Sequence, residues 1–209
     1  MKNVYNGLMN KIDLSKFEAL YDQFDGGHGL DHINRVRNLA MKLAGKYLPE
    51  KKNLVYAAAT LHDIGLIEGR ENHELNGAKM ILSDKDLQKF FTKNEISEIS
   101  DAVKEHRASS GNPQTILAKI ISDADKASDS PGEAMRRAVS YGKIHMPELS
   151  EDQQVWRAAK HLKEKFGIDG TGRRTYFPES EFAIENTYKP IFEALDREDY
   201  SSLINISKS

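Results

Sequence analysis

Hydrophobic residues recur every three or four positions along most of the chain, which is the spacing of amphipathic α-helices. In the segment 31–48, for example, Ile33, Val36, Ala40 and Leu43 fall on one side of a predicted helix. The sequence contains no stretch with the alternating apolar and polar residues of a half-buried β-strand, and no internal repeat. We therefore predict an all-α protein with a compact bundle of about eight or nine helices.

The segment 53–63, NLVYAAATLHD, lacks a polar stripe and predicts a central helix that is buried on all sides. Asp31, Asn72 and the pair Ser150 and Gln153 are placed to cap the N-termini of other helices, and Gly167 to end one. Further helices are predicted at 73–84, 93–106, 113–128, 133–145, 149–167 and 182–198, the last of them final and either bent or begun at Pro190.

The composition excludes several classes of function. The 209 residues fit one compact domain, and the 30 Lys and Arg against 32 Asp and Glu give a net charge of -2. This balance argues against binding to nucleic acid, which depends on accumulated positive charge, but allows a small phosphorylated ligand. The chain has no cysteine, so disulfides, thiolate metal sites and cysteine nucleophiles are excluded.

The sequence predicts neither an export signal nor a membrane span. The N-terminal segment MKNVYNGLMNKIDLSKF has no apolar core long enough for a signal peptide. No run of about 18 apolar residues is present, so we expect no membrane span. We expect a cytoplasmic protein, and the sequence leaves open whether it forms a homodimer.

Polar residues stand on the apolar sides of four predicted helices. One such residue would usually be a hydrogen-bonded core histidine or a capping aspartate, but several that converge are costly unless something neutralises them. A divalent cation does so, and imidazoles with carboxylates suit transition metals. Spacing alone leaves open a metal site or a hydrogen-bonded core network. The residues concerned are His32, His62 with Asp63, His106, and Asp125.

Three segments, HGLDHINRV, LHDIG and SDADK, resemble in order and separation the signatures of the HD superfamily of metal-dependent phosphohydrolases. The resemblance implies a single HD domain over 1–209, with a metal-binding core at 20–145 and a C-terminal helical extension at 146–209. It also implies a divalent ion, which can be Mn, Fe, Co, Ni, Mg or Zn. The metal ligands it implies are His32, His62, Asp63 and Asp125, although spacing alone leaves Asp123 as an alternative to Asp125.

Two further histidines, His73 and His106, lie where members with two metals place extra ligands. The resemblance therefore implies that they hold a second ion or contact the substrate. The alternative for His73 is a residue at the start of a helix that faces solvent. The segment EHRASSGNP lacks the paired histidines and the Asp-Gly-x-Gly-Tyr-Pro signature of the cyclic-dinucleotide phosphodiesterase branch. That branch is therefore not indicated.

The activity implied is hydrolysis of a phosphate ester or anhydride, in a nucleotide or another small phosphorylated molecule, by metal-activated water. Asp63, Lys126 and Arg35 are the catalytic candidates, and His106, His73 and Lys126 the candidates for substrate binding. Arg35 and Lys126 could instead be ordinary basic residues on a solvated surface. This alternative is stronger for the pairs Arg136 with Arg137 and Arg173 with Arg174. A di-iron oxygenase on the same scaffold and a non-catalytic module that binds metal or nucleotide are the alternatives.

Overall fold

The computed structural model describes residues 12–24 and 28–209, and its described part is helical without any β-strand. This confirms the all-α prediction, and the segment 1–11, in which no signal peptide is predicted, lies outside the described residues. Among the described helices, none combines the length and the apolar character needed to cross a bilayer. In chain order the α-helices described are α1 (Ser15–Glu18), α2 (Leu30–Tyr47), α3 (Lys52–Leu61), α4 (His73–Ser83), α5 (Lys93–Glu105), α6 (Ile116–Ala127), α7 (Pro131–His145), α8 (Glu151–Phe166), α9 (Pro178–Asp196) and α10 (Tyr200–Lys208).

The ends of several helices follow their local sequence. The Ser150 hydroxyl accepts a hydrogen bond from the backbone N–H of Gln153, and the Gln153 side chain accepts one from the backbone N–H of Ser150, which confirms the capping box at the start of α8. Asn72 precedes α4 in the left-handed conformation, with φ of 56°, but its side chain makes no capping bond. The predicted cap at Asp31 is wrong. Helix α2 begins at Leu30 with Gly29 in the N-cap position, so Asp31 lies within the first turn of the helix.

The C-terminal region contains one helix more than predicted. Helix α9 starts with Pro178, where the missing N–H of proline costs nothing, and continues through Pro190. Residue Glu198 then adopts a positive φ of 53°, and the Asp199 side chain caps a further helix, α10, by accepting a bond from the backbone of Ser202. The helix at 182–198 is therefore not the final one.

The described chain divides into two compact units, residues 12–24 with 28–125, and residues 126–209. In the first unit, α3 packs against α2 and α5, and α5 packs against α4. Residues Val55, Ala58 and Leu61 of α3 are fully buried, which confirms a central helix without a polar face. The residues that follow α3 are therefore delivered into the interior of this unit.

In the second unit, α8 packs against α7 and α9, and α10 packs against α7. The buried Gln154 amide donates to the carbonyl oxygen of Met146 at 2.6 Å, and the Arg157 guanidinium donates to the carbonyl oxygen of Ala138. These two side chains of α8 thus bond to backbone carbonyls in the middle of α7 and at its C-terminal end.

Candidate metal centre

The central pair His62 and Asp63 stands where the chain leaves α3. His62 still has helical backbone angles, whereas Asp63 departs from them with φ of -104° and ψ of 5°. Both side chains are buried, at 0% and 3% exposure of the residue. A short 3₁₀ helix, Ile64–Glu68, follows, and this turn allows two consecutive side chains to face the same interior point.

Glycine at position 65 brings α4 close to this turn. A Cβ atom at Gly65 would lie 2.0 Å from the carbonyl oxygen of His73 and 2.4 Å from the backbone nitrogen of Gly77. No other residue fits without moving one of these backbones. The close approach places His73, the first residue of α4, beside Asp63.

Three histidines are oriented by the same local hydrogen bond. In each, Nδ1 contacts the carbonyl oxygen three residues earlier: Ala59 at 2.9 Å from His62, Arg70 at 3.1 Å from His73, and Val103 at 2.6 Å from His106. A carbonyl only accepts, so Nδ1 carries the proton and donates it. This leaves the Nε2 lone pair of each imidazole available to a metal ion.

A first group of ligand atoms lies around His32 and His62. Nε2 of His32 is 3.3 Å from Oδ1 of Asp125 and 3.7 Å from Oδ2 of Asp63. Nε2 of His62 is 3.2 Å from the same Asp63 oxygen and 3.8 Å from the Asp125 oxygen. Bonds of about 2.0–2.2 Å to one ion put neighbouring ligand atoms about 3–3.6 Å apart. The distances of 3.2 and 3.3 Å fall in this range and those of 3.7 and 3.8 Å lie just above it, so small side-chain adjustments would let these atoms bind a common ion. The structure thus brings together the four ligands that the resemblance implies, with Asp125 rather than Asp123 facing both imidazoles.

A second group lies on the other oxygen of Asp63. Its Oδ1 atom is 3.4 Å from Nε2 of His73 and 3.6 Å from Nε2 of His106. His73 and His106 are both buried, so the solvent-facing alternative for His73 is wrong. The ligand atoms of His62, Asp63 and His106 also lie within 4.8 Å of one another. Asp63 therefore contacts histidines of both groups, one pair through each of its carboxylate oxygens.

Electrostatics couple these groups tightly. Burial disfavours the charged form of His62, but the charges of Asp63 and Asp125 outweigh it and raise the pKa of His62 to about 9. Burial likewise opposes ionisation of Asp63, yet the charge of His62 and the contacts of His106 and His73 hold the pKa of Asp63 well below its ordinary range. The cluster therefore carries anionic oxygens that attract cations.

These residues fit a divalent cation. The Nε2 atom of His62 is buried and lies 3.2 Å from Oδ2 of Asp63 without a hydrogen bond of regular geometry. Imidazoles and carboxylates buried this close together are costly unless a proton or a metal cation neutralises the carboxylates. Mixed imidazole and carboxylate ligands suit Mn, Fe, Co, Ni or Zn, whereas Mg prefers oxygen ligands alone.

The predicted basic residues have varied surroundings. Lys126 is 6% exposed, its ammonium donates to the backbone oxygen of Arg174, and its Nζ lies 5.5 Å from the centre of the Tyr176 ring. Arg137 donates to the Asp129 carboxylate at 2.6 Å. Arg35 is half-buried, one turn after His32 on α2. Among the other arginines of the two predicted pairs, Arg136 and Arg174 are exposed and Arg173 is half-buried.

Sequence reasoning missed Glu74. This residue directly follows His73, is only 5% exposed, and contacts Arg107, which directly follows His106. The available signal was that an acidic residue directly follows one candidate ligand, His73, and a basic residue directly follows another, His106.

Comparison with known proteins agrees with this description. Residues 29–128 match the family model of the HD domain. A crystal structure of a predicted HD superfamily hydrolase from an uncultured Thermotogales bacterium has a similar fold, with a TM-score of 0.61 and 19% identity over 94% of this chain and 97% of that one. No curated protein matches the chain. The match at 29–128 includes all the histidines and aspartates of the cluster and confirms the resemblance to HD domains that the three segments carry.

Proposed function

We propose that this HD-domain protein is a metal-dependent phosphohydrolase that cleaves a phosphate ester or anhydride of a nucleotide or another small phosphorylated molecule. The observation that supports this most is the buried cluster, in which Asp63 faces two histidines with each of its oxygens. HD domains bind divalent metals, and this chain keeps a complete set of ligand atoms for one.

The cluster has the residues for two ions. His32, His62, Asp63 and Asp125 would hold the first ion. The second would be held by Asp63 with His73 and His106. Two-metal hydrolysis sites use a shared ligand of this kind to place the attacking and leaving oxygens.

A divalent cation in this position supplies Lewis acidity, which lowers the pKa of water and neutralises charge on a phosphate group. The residues of the chain hold and orient the reactants. Asp63 stays ionised at neutral pH, so it can accept a hydrogen bond from the attacking water as well as bind cations. His73 and His106 have their Nδ1 protons committed to backbone carbonyls, so only their Nε2 atoms face Asp63.

Positive charge for the phosphate would come from Lys126 and Arg35. Each lies on the same helix as a proposed ligand: Lys126 directly follows Asp125, and Arg35 is one turn after His32. The Lys126 ammonium is held by the carbonyl oxygen of Arg174, so its charge is fixed in place rather than mobile. Fixed charges stabilise a developing phosphate charge without reorganising during the reaction.

The test is turnover by protein reloaded with Mn²⁺, assayed with nucleoside mono-, di- and triphosphates and with p-nitrophenyl mono- and diesters. We expect hydrolysis of at least one class, and a loss of at least about 100-fold in the variant His62→Ala. The matched control is His161→Ala, because His161 is an exposed histidine of the second unit and should keep full activity.

Two outcomes would contradict the proposal. Binding of metal without turnover of any of these substrates would favour the non-catalytic module. Oxygen consumption by the iron-loaded protein, with no hydrolysis, would favour the di-iron oxygenase.

A further inference from the structure

An ion pair links the two segments that carry His73 and His106. Glu74 follows His73 at the start of α4, and Arg107 follows His106 just after α5. Nη1 of Arg107 lies 3.3 Å from Oε2 and 3.5 Å from Oε1 of Glu74. The Glu74 side chain is only 7% exposed whereas that of Arg107 is 37% exposed, so the carboxylate end of this ion pair is buried and the pair is not an ordinary surface ion pair.

Glu74 has further contacts that fix its carboxylate. The hydroxyl of Ser110 donates to Oε1 at 3.4 Å, and Oε2 lies 3.4 Å from Nδ1 of His73. The carboxylate therefore touches the same imidazole nitrogen that donates to the carbonyl of Arg70. A carboxylate beside the distal nitrogen of a metal-binding histidine fixes the ring and strengthens it as a ligand.

The loop after α5 is shaped to hold Arg107 in this contact. The backbone N–H of Gly111 donates to the carbonyl oxygen of Arg107 at 2.7 Å. A Cβ atom at Gly111 would lie 2.0 Å from the carbonyl oxygen of Glu105, so the tight turn requires glycine. This turn also carries Ser110 to Glu74.

We infer that Glu74 and Arg107 form a positioning pair that sets the geometry of His73 and His106 and so determines the affinity for the second ion. The inference rests on the two-ion site in the proposed function. Neither residue has to touch the ion: the pair ties the start of α4 to the end of α5, so that both Nε2 atoms face Oδ1 of Asp63 at 3.4 and 3.6 Å. Removal of such supporting residues typically weakens metal binding about 10–100-fold.

The experiment is calorimetric titration of metal-free protein with Mn²⁺, analysed for two sites. In Glu74→Gln and in Arg107→Met we expect the second Kd to rise about 10–100-fold, while the first Kd stays within about twofold. Because the two residues act as one unit, the double variant should be no weaker than the worse single variant. Arg107→Lys, which keeps the charge, should recover part of the affinity.

The matched control is Glu98→Gln, which breaks the ion pair with Lys51 at 2.6 Å on the surface of the same unit. It should leave both Kd values unchanged. Thermal unfolding of each metal-free variant separates positioning from stability, since a purely structural role would lower the Tm without changing the second Kd selectively.

Equal weakening of both ions, or an unchanged second Kd in both single variants, would overturn the inference. So would a parent protein that binds only one ion, even if it hydrolyses phosphate esters. A parent that binds two ions with the predicted dependence on Glu74, but hydrolyses none of the substrates, would support the inference and overturn the proposed function.

Discussion

The Nε2 atom of His62 lies 3.2 Å from Oδ2 of Asp63, the next residue in the chain. Consecutive residues of a regular helix point about 100° apart, so this convergence depends on where the helix ends. His62 keeps helical angles and Asp63 leaves them, with ψ of 5°. The end of α3 is thus the feature that lets two adjacent side chains face the same interior point.

The shared position of Asp63 predicts that its removal affects both ions. In Asp63→Asn, which keeps the size but not the charge, we expect Mn²⁺ affinity at both sites to fall at least about 100-fold. In His106→Ala, the second ion should be weakened more than the first, since Nε2 of His106 lies beside Oδ1 of Asp63, the oxygen that also faces His73. Titration calorimetry distinguishes the two patterns, and a first ion that binds Asp63→Asn normally would contradict the shared role.

Metal affinity should rise with pH. The carboxylates around His62 raise its pKa to about 9 in the metal-free protein, so at pH 7 it is protonated. An incoming cation must displace that proton, which favours binding as the pH rises toward about 9 and disfavours it at lower pH. Calorimetry at pH 7 in buffers with different ionisation enthalpies should show net release of about one proton or more per chain. Equal heats in all buffers would argue against this.

Glycine at position 65 should be required for stability and for the second ion. Gly65→Ala places a methyl group against the backbones of His73 and Gly77, so we expect a loss of about 1–3 kcal/mol or more in unfolding free energy. Because His73 must shift, the second Kd should also rise. Denaturant unfolding and Mn²⁺ titration measure both effects.

The control for that variant is Gly45→Ala. Gly45 lies within α2, and a Cβ atom there would have nothing within 4 Å. Replacement by alanine should stabilise the protein by about 0.5–1 kcal/mol through helix propensity and leave metal binding unchanged. If Gly65→Ala behaved in the same way, the close approach of α4 would not be needed.

The role proposed for Lys126 predicts a defect in substrate binding without a defect in metal binding. In Lys126→Met, which keeps the buried apolar stem but removes the ammonium, we expect KM to rise about tenfold. The metal content should be that of the parent, because Lys126 is not a ligand. Steady-state kinetics on the best substrate of the panel provide the measurement, and an unchanged KM with loss of metal would contradict the role.

The burial of the proposed ligands on apolar stripes could be predicted from the sequence. Asp125 follows Ile121 and Leu117 at helical spacing, and those two residues are buried, so the same periodicity that predicts α6 also predicts the side on which Asp125 lies. The all-α fold follows from the same signal, because burial of one stripe per helix dictates both features.

Other features depend on tertiary contacts that periodicity does not contain. His73 is the first residue of its helix, and its burial results from the close approach of α4 to Gly65. The hydrophobic periodicity of the local sequence does not indicate this approach. Similarly, the pairing of Glu74 with Arg107 joins residues 33 positions apart. Helix α10 is short, and its start depends on the positive φ of Glu198, a residue type that gives no signal for such a turn.

The most direct test is the number of metal ions per chain, measured by elemental analysis after loading the protein with Mn²⁺ and removing unbound ions. We expect two ions per chain in the parent protein, and the loss of at least the first ion in His62→Ala. A parent protein that holds no ion, or a His62→Ala variant that keeps the full content of the parent, would contradict the metal centre on which the proposed function depends.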